Sequence, residues 1–126
     1  MVFGEKTKTQ VFSTVIGKDC HIKGDLIAQD SVRIEGQIEG NVQSDKAVCI
    51  TENAVVTGNL KAQDIINSGL VKGNVTATDS LEIEKTGIVI GDVYTQSLKI
   101  NLGAKINGRM SMDNQTETKT KEEDNL

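Results

Sequence analysis

Aliphatic residues recur in this chain at every second position, in short bursts that repeat. In "GLVKGNV" (69–75), Gly69, Val71, Gly73 and Val75 fall on one side and Leu70, Lys72 and Asn74 on the other. Such alternation marks a strand with one buried face. Nearly the same phrase occurs six times, as "CHIKGDL" (20–26), "GQIEGNV" (36–42), "AVVTGNL" (54–60), "GLVKGNV" (69–75), "GIVIGDV" (87–93) and "AKINGRM" (104–110). The anchoring glycines, Gly24, Gly40, Gly58, Gly73, Gly91 and Gly108, stand 16, 18, 15, 18 and 17 residues apart. Read by column, the phrase is small–x–Ile/Val–x–Gly–x–aliphatic. Its small column is Cys20, Gly36, Ala54, Gly69, Gly87 and Ala104, and its β-branched column is Ile22, Ile38, Val56, Val71, Val89 and Ile106. A weaker phrase precedes most copies: "VRI" (32–34), "VCI" (48–50), "LEI" (81–83) and "LKI" (98–100), with Ile65 and Asn67 standing in the remaining copy.

A period near 17 is too short for helical repeats or propeller blades and suits one turn of a β-solenoid with three short strands. The expected fold is all-β: a single-domain right-handed parallel β-helix of about six three-strand coils. Its glycines sit at corners, where the backbone bends at least steric cost. Six coils at strand spacing make a rod roughly 30 Å long. The unequal copy lengths argue against a left-handed hexapeptide solenoid and are read as one corner varying in length. Asn67, polar in an Ile column, is expected at a corner, because a buried amide needs partners. The β-helix domain is placed at 11–112, between a flexible N-terminal tail at 1–10 and a disordered polar tail at 113–126, "DNQTETKTKEEDNL".

Composition sharpens this picture. Aromatic residues make up 2% of the chain (Phe3, Phe12 and Tyr94), with no Trp, no Pro and 12 Gly. The core is therefore many thin aliphatic layers rather than a few large anchors. A net charge of −4 and a pI near 5.0 disfavour an electrostatic nucleic-acid binder. Cys20 and Cys49 lack paired spacing, which disfavours a disulfide or metal framework and fits a reducing cytoplasm. No apolar run approaches the 18 residues of a membrane span.

Candidate chemistry is sparse, and neither a catalytic site, a cofactor nor a metal is expected. His21 is the only histidine, and alternation points it outward. A trimeric solenoid acyltransferase, which would use a histidine base, is the alternative reading; the long loops that build such an acceptor pocket are missing. Cys20 reads as core and Cys49 as an outward thiol. The acids Asp25, Glu35, Glu39, Asp79, Glu82 and Glu84 alternate with lysines without converging. The glycine phrases are followed by neither GK[ST] nor a helix, so they are not phosphate loops.

Solenoid ends expose apolar layers and unpaired strand edges, and monomeric solenoids cover them. Here there is no Pro, and "LKINLGAKINGRM" (98–110) runs straight into the polar tail. Uncapped ends stack on other copies. The residues placed there are Val11, Phe12, Val15 and Ile16 at one end and Leu102, Ile106 and Met110 at the other.

The repeated "IKGDL", "IEGNV", "VTGNL", "VKGNV", "VIGDV" and "INGRM", and above all "VRIEGQIEGNV" (32–42), closely resemble the bactofilins over residues 11–112. The resemblance implies a right-handed β-helix of six coils that polymerises end to end, without nucleotide, into apolar filaments. Such filaments scaffold cell-envelope machinery. It implies a homopolymer with the inner membrane surface and envelope proteins as further partners, and no nucleic acid. Many members carry an aromatic residue near the C-terminal end of the domain; here Leu102, Ile106 and Met110 take that place. Some members have a membrane foot at the N-terminus, and Met1, Val2 and Phe3 ahead of Lys6 and Lys8 fit one. The implied location is cytoplasmic, at the inner face of the membrane.

Overall fold

A computed structural model describes residues 14–112. The N-terminal tail and the polar C-terminal tail lie outside the described residues. Between them the chain winds six times through three walls, and all strand pairs are parallel. Coil 1 is β1 (Thr14–Ile16), β2 (His21–Lys23) and β3 (Leu26–Ala28). Coil 2 is β4 (Val32–Ile34), β5 (Gln37–Glu39) and β6 (Val42–Ser44). Coil 3 adds β7 (Ala47–Ile50) and β8 (Val55–Thr57), then enters β9 (Leu60–Asn67), which carries the chain on into coil 4. The long strands β11 (Val75–Ile83) and β13 (Val93–Ile100) do the same for later coils, alternating with β10 (Leu70–Lys72), β12 (Ile88–Ile90), β14 (Lys105–Asn107) and β15 (Met110–Met112). The second wall is the six-stranded sheet β2-β5-β8-β10-β12-β14, and the other two walls merge into one sheet through the long strands.

The columns read from sequence are the columns of the fold. Ile22, Ile38, Val56, Val71, Val89 and Ile106 stack in strict register. So do Val32, Val48, Ile65, Leu81 and Leu98 on the first wall. In the interior coils these residues are essentially fully buried, whereas Ile22, Leu98 and Ile106 in the end coils pack only partly against the core. The layers are thin and aliphatic, and coil-to-coil hydrogen bonds hold them at strand spacing.

The anchoring glycines occupy one corner with φ between 137° and 156°, a region that a side chain disfavours. A Cβ on Gly40, Gly58, Gly73, Gly91 or Gly108 would also run into the carbonyl of the glycine one coil below. From Gly40 onward the column must be glycine for both reasons.

Three expectations need correction. Two corners vary in length, not one. Between the first and second walls, coils 2 and 4 use three residues (35–37 and 68–70), while coils 1, 3, 5 and 6 use five (17–21, 51–55, 84–88 and 101–105). Between the third wall and the next coil the link also differs by one residue, and the register shifts between Ala77 and Ser80. Both differences stand in the copy lengths: the two-residue one separates 16 from 18, and the one-residue one separates 15 from 16 and 17 from 18. Next, Asn67 remains in the ladder, aligned with Ile50 and Ile83 and 0% exposed. It satisfies its amide by accepting from Gly69 N–H (2.9 Å) and donating Nδ2 to the Ile88 carbonyl (3.4 Å), because coil 4 has a short corner that brings both within reach. Finally, Cys20 is exposed. It occupies the small column, but in the first coil of the described residues, where no earlier described coil covers it.

Candidate assembly interfaces

The two ends of the rod are where the repeat stops. In coil 5 the inward residues Ile83, Val89 and Val93 are 0–2% exposed. One coil further, Ile100 is 36% and Met110 38% exposed, and Leu98, Ala104 and Ile106 are only partly covered. Among the described residues β14 and β15 are edge strands, each paired on one side. An end face of apolar side chains ringed by unsatisfied backbone groups offers both hydrophobic area and strand-edge hydrogen bonds. Coil 1 has the same character in milder form: Ile22, Leu26 and Ala28 are partly covered, and Ile16 is 8% exposed.

The structure spreads the candidate interface residues over different surfaces. Ile106 and Met110 share the coil 6 end face. Leu102 instead tips the long corner, 85% exposed, in a turn closed by Ala104 N–H donating to the Asn101 carbonyl (3.0 Å). Ile16 faces the core at coil 1, whereas Val15 aligns with Arg33 and points outward from the first wall. Val11 and Phe12 lie outside the described residues, as do the candidate membrane residues Met1, Val2, Phe3, Lys6 and Lys8. Leu98, Ile100 and Ala104, absent from the candidates, belong to the coil 6 end face; their positions in the inward columns were the available indication.

Sequence reasoning also missed a ladder on the glycine corner. The residue after each anchoring glycine accepts, through its side-chain Oδ1, the backbone N–H of its counterpart one coil on. Asp25 accepts from Asn41 (2.9 Å), Asn41 from Asn59 (3.0 Å), Asn59 from Asn74, Asn74 from Asp92 and Asp92 from Arg109, the last three at 3.1 Å. The dipeptide Gly-Asp or Gly-Asn in five of the six copies was its trace. Arg109 has no side-chain acceptor, so the ladder ends at coil 6.

His21 points outward as expected and lies 2.7 Å, Nε2 to Oε2, from Glu39 in the next coil. Cys49 is half-buried on the outer face, and burial pushes its thiol above the ordinary value; the Arg33 charge opposes this, while Glu84 and Glu35 reinforce it. It borders an open polar cleft of about 560 Å³ that exists because the short corner of coil 4 lies between the longer corners of coils 3 and 5. Cations and carboxylates alternate around it: Arg33, Glu52, Glu84 and Lys85. Among the described residues no three His, Cys, Asp or Glu side chains converge as metal ligands.

The fold and its ends define a class: a repetitive parallel β-solenoid that exposes its own core layers at the termini of the rod. The family model described as "Bactofilin: Polymer-forming cytoskeletal" matches residues 14–111, and the chain belongs to the bactofilin family. Two Myxococcus xanthus proteins are similar. Bactofilin BacP is 31% identical over 104 residues, 82% of this chain and 43% of BacP; bactofilin BacO is 28% identical over 109 residues, 86% of each. The chain thus spans less than half of BacP and most of BacO. Among solved structures, the Thermus thermophilus bactofilin in double helical filaments superposes with a TM-score of 0.67 at 25% identity, over 77% of this chain and 98% of that one. Membership makes this a polymer-forming cytoskeletal protein that assembles with copies of itself.

Proposed function

We propose that the chain is a non-enzymatic scaffold whose rods join end to end without nucleotide into apolar filaments, which associate with the cytoplasmic face of the membrane and organise cell-envelope processes. The observation that carries this reading is the coil 6 end face, where core columns covered in every interior coil reach solvent beside edge strands. No nucleotide is required, because the driving force is apolar burial and strand-edge pairing. Arg109 supports an apolar arrangement, since it offers no acceptor to a coil continuing in the same direction. The double helical form of the Thermus filament suggests that these filaments also pair. Met1, Val2 and Phe3 with Lys6 and Lys8 supply a foot that binds weakly alone and firmly when repeated along a polymer.

Negative-stain electron microscopy of the purified chain, with no nucleotide or metal added, tests assembly. Long thin filaments are expected. Discrete trimeric particles would sink the reading and return attention to His21. Removing residues 1–8 should leave filaments intact and weaken their co-sedimentation with vesicles.

A further inference from the structure

The second wall carries aliphatic residues on its outer side in three successive coils. Its outward columns are His21, Gln37, Val55, Leu70, Ile88 and Lys105, and Lys23, Glu39, Thr57, Lys72, Ile90 and Asn107. Val55, Leu70 and Ile88 are consecutive in register, and Ile90 beside them is 43% exposed. A lone exposed aliphatic residue is ordinary; here Val55, Leu70 and Ile88 are each partly exposed and form one aliphatic strip across three coils.

On the strands of this wall the outward charges are mostly positive. Lys23, Lys72 and Lys105 carry no carboxylate partner among the described residues, and the wall's single acid, Glu39, is engaged by His21. On the first wall, by contrast, the cations are paired, Arg33 with Glu35 at 2.6 Å and Lys99 with Glu82 at 3.7 Å. A chain of net charge −4 thus keeps one flat face with free lysines around an apolar centre.

We propose that the second wall is a membrane-docking face that lies on a bilayer containing anionic phospholipid. The inference rests on the reading that these filaments work at the membrane, and it assigns them a surface distinct from residues 1–8. Lysines meet the headgroups while Val55, Leu70, Ile88 and Ile90 reach the interfacial layer. The wall runs along the rod axis, so end-to-end assembly multiplies it and turns a weak contact into a firm one. A second filament fits this face poorly, because two copies would bring two cationic walls together.

The experiment is co-sedimentation of the full chain with vesicles of phosphatidylcholine, with and without phosphatidylglycerol, alongside electron microscopy. The wild type should bind the anionic vesicles and be released by high salt. Lys72→Glu combined with Lys105→Glu should form filaments of normal length and bind about tenfold less. Ile88→Ser, which changes no charge, should also weaken binding with circular dichroism unchanged. Undiminished binding by folded, filamentous variants overturns the proposal while leaving the scaffold reading intact. Variants that bind normally but lose filament pairing overturn it too, and make the wall a filament–filament contact. A wild type that binds anionic vesicles through these lysines without polymerising would support the docking face and defeat the scaffold reading.

Discussion

The side-chain carbonyl of Asn41 accepts the backbone N–H of Asn59 at 3.0 Å, and the Asn59 carbonyl in turn accepts the N–H of Asn74 at 3.1 Å. Each rung joins a side chain of one coil to the backbone of the next, on the corner where glycine leaves no side chain to pack. Asn59→Ala should therefore lower stability by about 0.5–1.5 kcal/mol in urea unfolding. Asn59→Asp keeps the acceptor and should cost less. Equal losses in the two variants would remove the ladder from the account of stability.

Position along the column changes the cost of adding a methyl group. A Cβ on Gly58 meets the Gly40 carbonyl, whereas one on Gly24 has nothing within 4 Å; the two share φ values of 146° and 137°. Gly24→Ala should cost the backbone strain alone, about 1–3 kcal/mol. Gly58→Ala adds overpacking against backbone, about 1–3 kcal/mol more. Thermal melts of the two variants measure the difference directly.

Replacing Asn67 with Ile would complete an apolar column, so the pattern alone predicts stabilisation. The structure predicts the reverse. The Gly69 N–H would lose its acceptor in a fully buried site, at about 1–3 kcal/mol. A melting temperature that rises in Asn67→Ile would show that packing outweighs the amide.

Much of the fold was legible because it repeats. Each inward position was written six times, so that Ile38, Val56 and Val71 identified one another and fixed the register. What escaped was whatever repetition averages away. Cys20 and Ala104 belong to the same column as Ala54, yet only the interior coil buries its member, since each end coil has a neighbour on one side only among the described residues. The Gly-Asp/Asn pairs were in plain view but outward, where alternation assigns no role. The second wall's apolar outer stripe was hidden for the same reason: Leu70 and Ile88 occupy the positions the pattern treats as changeable.

Assembly should respond to charge on the coil 6 end face. Ile106→Arg places a cation where the end layer would be covered, and a folded β-rich monomer or dimer is expected by analytical ultracentrifugation. Leu102→Arg probes the corner tip instead. Persistent long polymers in both variants would move the contact elsewhere.

The two thiols should behave differently. Cys20 is exposed, whereas burial holds the Cys49 thiol protonated above the ordinary range. Alkylation at pH 8, followed by intact mass, should modify Cys20 first. Because the folded pKa of Cys49 exceeds the unfolded one, its contribution to stability is complete below the unfolded value and lost as pH rises through the folded value. Cys49→Ser should flatten that alkaline decline, and an unchanged pH profile would remove Cys49 from it.

Asn67 gives one coil an address within the repeat. A chain built from six near-copies could thread one turn out of step and still bury aliphatic residues. Here such a slip would move the buried Asn67 away from the Ile88 carbonyl one coil on and leave part of its amide without a partner. The polar residue that makes the repeat look imperfect thus favours one winding of it over the others.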